Sequence, residues 1–204
     1  MFPRQILLVL ATLLIACNCT PSHAATVCID PGHPSEVGQG TTGRHITEMA
    51  ANWKIALLVE ADLKADGYRV VMTKSSESEF VRNKTRAEIA NDAHADLMVR
   101  LHCDGGNGIG SGFAVYTPDR QGKIDGITGP SQSVIDSSQK AGRIFYQTVS
   151  EDLHGSLTGR GFHSDIATHV GSMHGALVGS IYSKVPVVLI EMVVLTNPRD
   201  EAFI

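Results

Sequence analysis
Apolar positions along the chain fall into two patterns, short runs with the period of a strand and longer stretches with the period of a helix, and the two alternate. Thr26–Asp30 is a short run bounded by Pro31-Gly32, which predicts a strand and a turn. Gly38, Gly40 and Gly43 mark the loop that follows. In Glu48–Ala65, Met49, Trp53, Ala56, Leu57 and Leu63 recur near the helical period, and Asp66-Gly67 ends the stretch. Tyr68–Thr73 alternates as a strand, Ser75–Glu79 is a polar loop, and Val81–Ala93 predicts a second helix. Leu97–Cys103 reads as a strand, Asp104–Gly112 as a glycine-rich loop, and Phe113–Thr117 as another strand. Gln121–Gly129 carries no core signal and is expected to be a loop. Val134–Leu153 predicts a third helix, with Ala141, Ile144, Phe145, Val149 and Leu153 on one face. Residues 154–183 are rich in Gly, Ser and His and show no period. Val185–Val194 is almost wholly apolar, as a strand covered on both faces would be.

Strands separated by helices of this length predict βαβ units. The expected fold is therefore α/β: a single domain with a mostly parallel twisted sheet and helices on both faces. Ligands of such sheets sit beyond the carboxyl ends of the strands. His33 follows the first strand, His102 ends the strand from Leu97, and Glu191 lies near the end of the last strand. Glu48 joins them if the first helix starts at that same edge, so a site is expected at the C-terminal strand edge.

Composition narrows the classes. The 204 residues are 43% hydrophobic and 19% charged, which excludes disorder and fibrous repeats as the main description. A net charge of −4 argues against a nucleic-acid partner held by bulk charge. Nine histidines and four cysteines direct attention to metal. Residues 1–24 read as a secretory signal: a basic start, the apolar run Ile6–Ala16, and Ser22-His23-Ala24 before the cleavage point. That run is too short to span a bilayer, which needs about 20 residues. Leu14-Ile15-Ala16-Cys17 also looks like a lipobox, so a lipid anchor at Cys17 is the alternative form of export, to the periplasm or the outer wall. Cys28 and Cys103 are not expected to pair, because one lies early in its strand and the other late in a neighbour.

Two histidines and one carboxylate around Zn²⁺, with water in the fourth position, make a hydrolytic centre. A second carboxylate beside it can take and return a proton. His33, Glu48 and His102 suit the ligand positions and Glu191 the proton-transfer role. Each residue alone has a plainer reading: a strand-end histidine is commonly just hydrogen-bonded, and a glutamate in a first helical turn favours the dipole. Glu191 stands apart, because an apolar strand rarely holds a carboxylate without a partner or a task. His45-Ile46-Thr47-Glu48 spells H-x-x-E and offers His45 in place of His33, as in a zinc peptidase of another kind.

Several segments in order resemble the zinc-dependent N-acetylmuramoyl-L-alanine amidases of the amidase-3 type. They are Asp30-Pro31-Gly32-His33; Glu48 with Asn52; Arg86, Ala90-Asn91 and Ala95-Asp96; Leu101-His102; and Val185–Glu191 followed by Thr196-Asn197-Pro198. The resemblance implies an amidase domain over residues 25–204 that cuts peptidoglycan between N-acetylmuramic acid and L-alanine. It also implies one zinc on His33, Glu48 and His102, and a catalytic Glu191. The chain departs from the family pattern in three places. Cys103-Asp104 follows His102 where the family often has Ala-Asn, Val193-Val194 stands where it usually has Gly-Phe, and the usual last helix is expected to be lacking. A degenerate relative that holds peptidoglycan without cutting it is the alternative from another class. No G-x-S-x-G or H-E-x-x-H is present. Cys103 is not expected to act as a nucleophile, since it points away from the face of His102. His154, His163, His169 and His174 are expected in loops, with substrate contact open for one of them. Arg86 and Arg100 are expected to form salt bridges.

Overall fold
The computed structural model describes residues 24–204. The export signal proposed for residues 1–24 and the lipid anchor at Cys17 thus fall, but for Ala24, outside the described residues. The strands are β1 (Thr26–Pro31), β2 (Arg69–Met72), β3 (Leu97–Asp104), β4 (Phe113–Thr117), β5 (Gly122–Ile124), β6 (Ile127–Gly129), β7 (Gly159–Ser164) and β8 (Val187–Val194). The helices are α1 (Glu48–Ala65), α2 (Asn83–Asp92), α3 (Gln132–Asp152), α4 (His169–His174), α5 (Val178–Tyr182) and α6 (Pro198–Phe203), with a 3-10 turn at Asp165–Ala167.

Six strands form one sheet in the order β2-β1-β3-β8-β4-β7. All neighbours are parallel except β4 with β8. Alternate residues of each strand face opposite layers. Val27, Ile29, Val99, Leu101, Val188 and Ile190 pack with α1 and α3 through Ile55, Val59, Phe145 and Val149. Cys28, Met98 and Val187 face the other way and pack with Ala90 of α2. On that second face the apolar layer gives way to polar side chains toward the carboxyl edge. Asp30, Arg100, Leu189 and Tyr116 lie in register across β1, β3, β8 and β4, and the next row holds His102, Glu191 and Ala114.

Helix α1 shows the same change along its length. Glu48 and Asn52 are buried at its first turn, and Ile55, Ala56, Val59 and Leu63 further on. Thr47 caps it by accepting from the Ala50 N–H at 3.2 Å. The chain turns away at Gly67, whose φ of 88° suits glycine.

Three expectations change. Gln121–Gly129 is not a plain loop but an antiparallel hairpin, β5 with β6, turned by Asp125-Gly126. It is fastened under α5, where a Cβ on Gly129 would stand 2.3 Å from the Ile181 carbonyl oxygen. The last strand starts at Val187 rather than Val185: at this end it is the Pro186 carbonyl that accepts from the Met98 N–H, and Pro186 has no N–H to give. The unassigned residues 154–183 form β7, the 3-10 turn, α4 and α5, which lie beside the polar rows, so His163 stands in a strand and His169 and His174 in a helix, not in loops as expected. Among the described residues Cys28 and Cys103 are both buried and unpaired; Cys28 is in register with Met98, well back from Cys103 along β3.

Candidate functional site
The end of β1 sets the site. The Gly32 N–H donates to the Leu101 carbonyl at 2.9 Å, which extends the pairing with β3 by one residue. His33 then takes φ of 60°, a conformation that a non-glycine residue holds only where its surroundings insist on it. Its Nδ1 lies 3.0 Å from the Gly38 carbonyl. A carbonyl can only accept, so Nδ1 donates to it and Nε2 is the ring nitrogen turned toward Glu48. That Nε2 lies 3.4 Å from Glu48 Oε1, and His102 Nδ1 lies 3.0 Å from the same oxygen. The two imidazole rings meet edge to face with centroids 5.1 Å apart.

Glu48 is held from several sides. Oε2 accepts from the Thr41 N–H at 2.7 Å, and Oε1 from the Cys103 N–H at 3.1 Å. Asn52 Nδ2 donates to the Gly32 carbonyl at 3.3 Å and reaches Glu48 Oε1 at 3.5 Å. Burial alone would raise the Glu48 pKa, but hydrogen bonds from His102 and His33 outweigh it and lower the value. Burial lowers the pKa of His102, which keeps its ring neutral and fit to be a ligand.

His33, Glu48 and His102 each offer a donor atom, and these lie within 4.8 Å of one another. Nitrogen, nitrogen and carboxylate oxygen is a donor set that suits zinc. His102 Nε2 and Glu191 Oε2 are buried without hydrogen-bond partners among the described residues. Such orphaned atoms are costly unless something else binds them. Glu191 stands beside His102 in register, and burial, then the charges of Glu48 and Asp104, push its pKa well above the ordinary carboxylate value. His33, His102 and Glu191 line one pocket of about 180 Å³, together with the apolar Leu177, Val178 and Leu189.

Behind the site lies a buried ionic network. Arg86 donates to Asp30 at 2.6 Å and to the Pro31 carbonyl at 2.7 Å. Arg100 donates from Nε to Asp30 at 2.7 Å and from Nη2 to Asn83 at 2.5 Å. These are the salt bridges expected of the two arginines, and they fix the strand ends that carry His33 and His102.

The structure thus brings together all four expected residues. His45 is exposed and stands outside the donor cluster, so the H-x-x-E reading fails. Cys103 points to Asn52, with Sγ 3.5 Å from its Oδ1, and burial raises its pKa well above the usual thiol range. Thr168 and His169 also line the pocket. Thr168 carries no signal in the sequence, whereas His169 is one of the four histidines left open for substrate contact; it stands at the start of α4 and not in a loop, because α4 is too short to print a helical period. His163 instead lies against Tyr116, with ring centroids 5.3 Å apart.

The sequence model of the family Amidase_3, described as N-acetylmuramoyl-L-alanine amidase, matches residues 27–204. The chain is 27% identical over 201 residues to the N-acetylmuramoyl-L-alanine amidase AmiA of Escherichia coli, covering 86% of this chain and 67% of that one. It is 28% identical over 226 residues to an N-acetylmuramoyl-L-alanine amidase of Mycobacterium tuberculosis, covering 97% and 86%. Among solved structures, its fold is similar to that of an N-acetylmuramoyl-L-alanine amidase of Nostoc punctiforme, with TM-score 0.65, 21% identity, and 89% and 86% of the two chains covered. It is also similar to the catalytic domain of CwlV from Bacillus (Paenibacillus) polymyxa, with TM-score 0.62, 24% identity, and 87% and 85% covered.

Proposed function
The chain belongs to the Amidase_3 family, and from that premise we propose that it hydrolyses the amide between the lactyl group of N-acetylmuramic acid and L-alanine in peptidoglycan. In this reading His33, Glu48 and His102 hold one zinc ion and Glu191 moves the protons. The observation that carries it is the pair of orphaned atoms, His102 Nε2 and Glu191 Oε2, beside three donor groups that converge within 4.8 Å.

Zinc bound there supplies Lewis acidity toward water and toward the amide carbonyl. Glu191 accepts a proton from the attacking water at Oε2 and delivers it to the amide nitrogen as the L-alanine amine leaves. A buried Glu191 beside two other carboxylates resists ionisation, and a dication next to Glu48 offsets that resistance. Leu177, Val178 and Leu189 give the pocket apolar lining beside the reacting groups. Asp30, Arg86 and Arg100 hold the strand ends still.

Peptidoglycan lies outside the cytoplasm, so the reading includes residues 1–24 as the export signal, with lipidation at Cys17 as the other form of export. Among the described residues no helix is long and apolar enough to cross a membrane. Zinc analysis of purified variants tests the ligand assignment. His33→Ala is expected to lose zinc and turnover together. A His33→Ala protein with full zinc and full activity overturns it.

A further inference from the structure
Helix α6 touches the loops on both sides of the metal centre. Asn197 Nδ2 donates to the Gly110 carbonyl at 2.9 Å. Asp200 accepts from the Ser111 hydroxyl at 2.6 Å, the Gly112 N–H at 2.7 Å and the Val194 N–H at 2.9 Å. These bonds tie down the loop after β3 and the end of β8. Glu201 reaches the other way, to the loop before α1. Its Oε1 accepts from the Ile46 N–H at 3.1 Å and from the His45 N–H. Gly43 is moulded to the same carboxylate, since a Cβ there would stand 2.5 Å from Oε1.

Residues 38–47 orient two of the three donor groups. The Gly38 carbonyl fixes the His33 ring through Nδ1, and the Thr41 N–H fixes Glu48 through Oε2. Gly40 lies against both side chains, with a Cβ position 2.6 Å from Glu48 Oε2 and 2.7 Å from the His33 ring. The Thr41 carbonyl accepts from the Glu48 N–H at 2.9 Å, which ties the loop to the start of α1. Residues 36–40 are exposed on their outer side, so the loop has little packing of its own.

We propose that Glu201 is a positioning residue for the metal centre. By holding the N–H groups of His45 and Ile46 it fixes residues 38–47, and through Gly38 and Thr41 it fixes the side chains of His33 and Glu48. The inference rests on the reading of His33, Glu48 and His102 as zinc ligands. It adds a group 153 positions along the chain from Glu48 (201 − 48) that sets how well they bind. Groups that orient metal ligands from behind typically change affinity by about 10- to 100-fold. Glu201 acts through backbone, so the low end is expected.

The test is a zinc titration of the full chain in competition with a chromogenic chelator. Glu201→Ala is expected to raise the zinc Kd about tenfold. Glu201→Gln keeps an accepting oxygen and is expected to stay within about twofold of the parent. Glu60→Ala, which removes a half-buried carboxylate paired with Lys64 elsewhere on α1, is expected to leave the Kd unchanged. Amide exchange at His45 and Ile46 should quicken in Glu201→Ala alone. A folded Glu201→Ala protein with the parent Kd overturns the proposal. If that variant does not fold, Glu201→Asp, with its shorter arm, takes its place, and an unchanged Kd there overturns it equally. His33→Ala is titrated alongside. If it binds zinc as the parent does, the ligand assignment itself has failed and the positioning role goes with it. If it loses zinc while Glu201→Ala does not, only the positioning role is lost.

Discussion
Gly32 lies so close to the imidazole of His102 that a Cβ there would stand 2.3 Å from Cε1 and 2.5 Å from Nε2. The ring occupies the place a side chain would take. Gly32→Ala therefore has to push His102 off its position rather than merely crowd it. Zinc affinity is expected to fall by about tenfold or more, while the apo-protein loses little stability. Chelator competition and thermal melting of the metal-free variant separate the two effects.

The Asp30 carboxylate is fully buried between Arg86 and Arg100. Burial alone would raise its pKa, but the two guanidinium groups and the Thr73 hydroxyl outweigh burial and hold it well below the usual range. A depressed value means that the contribution to stability is present above the unfolded pKa of about 4 and is lost as pH falls below it. Asp30→Asn leaves two buried cations without their partner and is expected to cost about 3–5 kcal/mol. Urea denaturation between pH 3 and 7 checks both points. The parent should weaken with acid in that range, and the gap between parent and variant should narrow.

Asp165 is the opposite case. Burial raises its pKa to about 6, and the Leu177 N–H, donating at 3.1 Å, recovers only part of the cost. A raised acid pKa destabilises the fold as pH climbs from about 4 to about 6 and by a constant amount above that. The shift corresponds to roughly 3 kcal/mol at most. Asp165→Asn keeps an accepting oxygen and loses the charge. Its stability relative to the parent is expected to rise by up to that amount between pH 4 and pH 7. A difference that does not change with pH contradicts this account of the residue.

Glu191→Gln removes the proton carrier and leaves the three donor groups untouched. Zinc content is expected to stay at one per chain, while turnover falls by at least about 100-fold. Metal analysis and peptidoglycan digestion on the same sample are the measurements.

Much of this was legible in the sequence for a physical reason. Helix α1 has the predicted extent, Glu48–Ala65, but it buries Ala51, Ile55, Ala56, Val59 and Leu63 and leaves Leu57 exposed, so the expected apolar face was only partly right; the site falls where parallel strands end. His33, Glu48, His102 and Glu191 could be placed on one edge because strand ends are marked by Pro31-Gly32 and by the close of apolar runs. The hairpin over Gly122–Gly129 escaped because each strand has three residues and glycines stand where the packing is tightest. Its Asp125-Gly126 turn was the available signal. His169 was open for substrate contact from the sequence, but the helices that bring it and Thr168 to the pocket escaped because α4 and α5 have six and five residues, too few to show a period. Glu201 was invisible for a different cause: its partners are backbone N–H groups at His45 and Ile46, and no side-chain pattern records them.

The most direct test is digestion of isolated peptidoglycan by the purified chain with zinc and with a chelator, with products identified by mass. The account predicts zinc-dependent release of intact stem peptides with a free L-alanine amine, leaving N-acetylmuramic acid with its lactyl carboxyl unsubstituted. Zinc-independent release, or cleavage at any other bond, would contradict it.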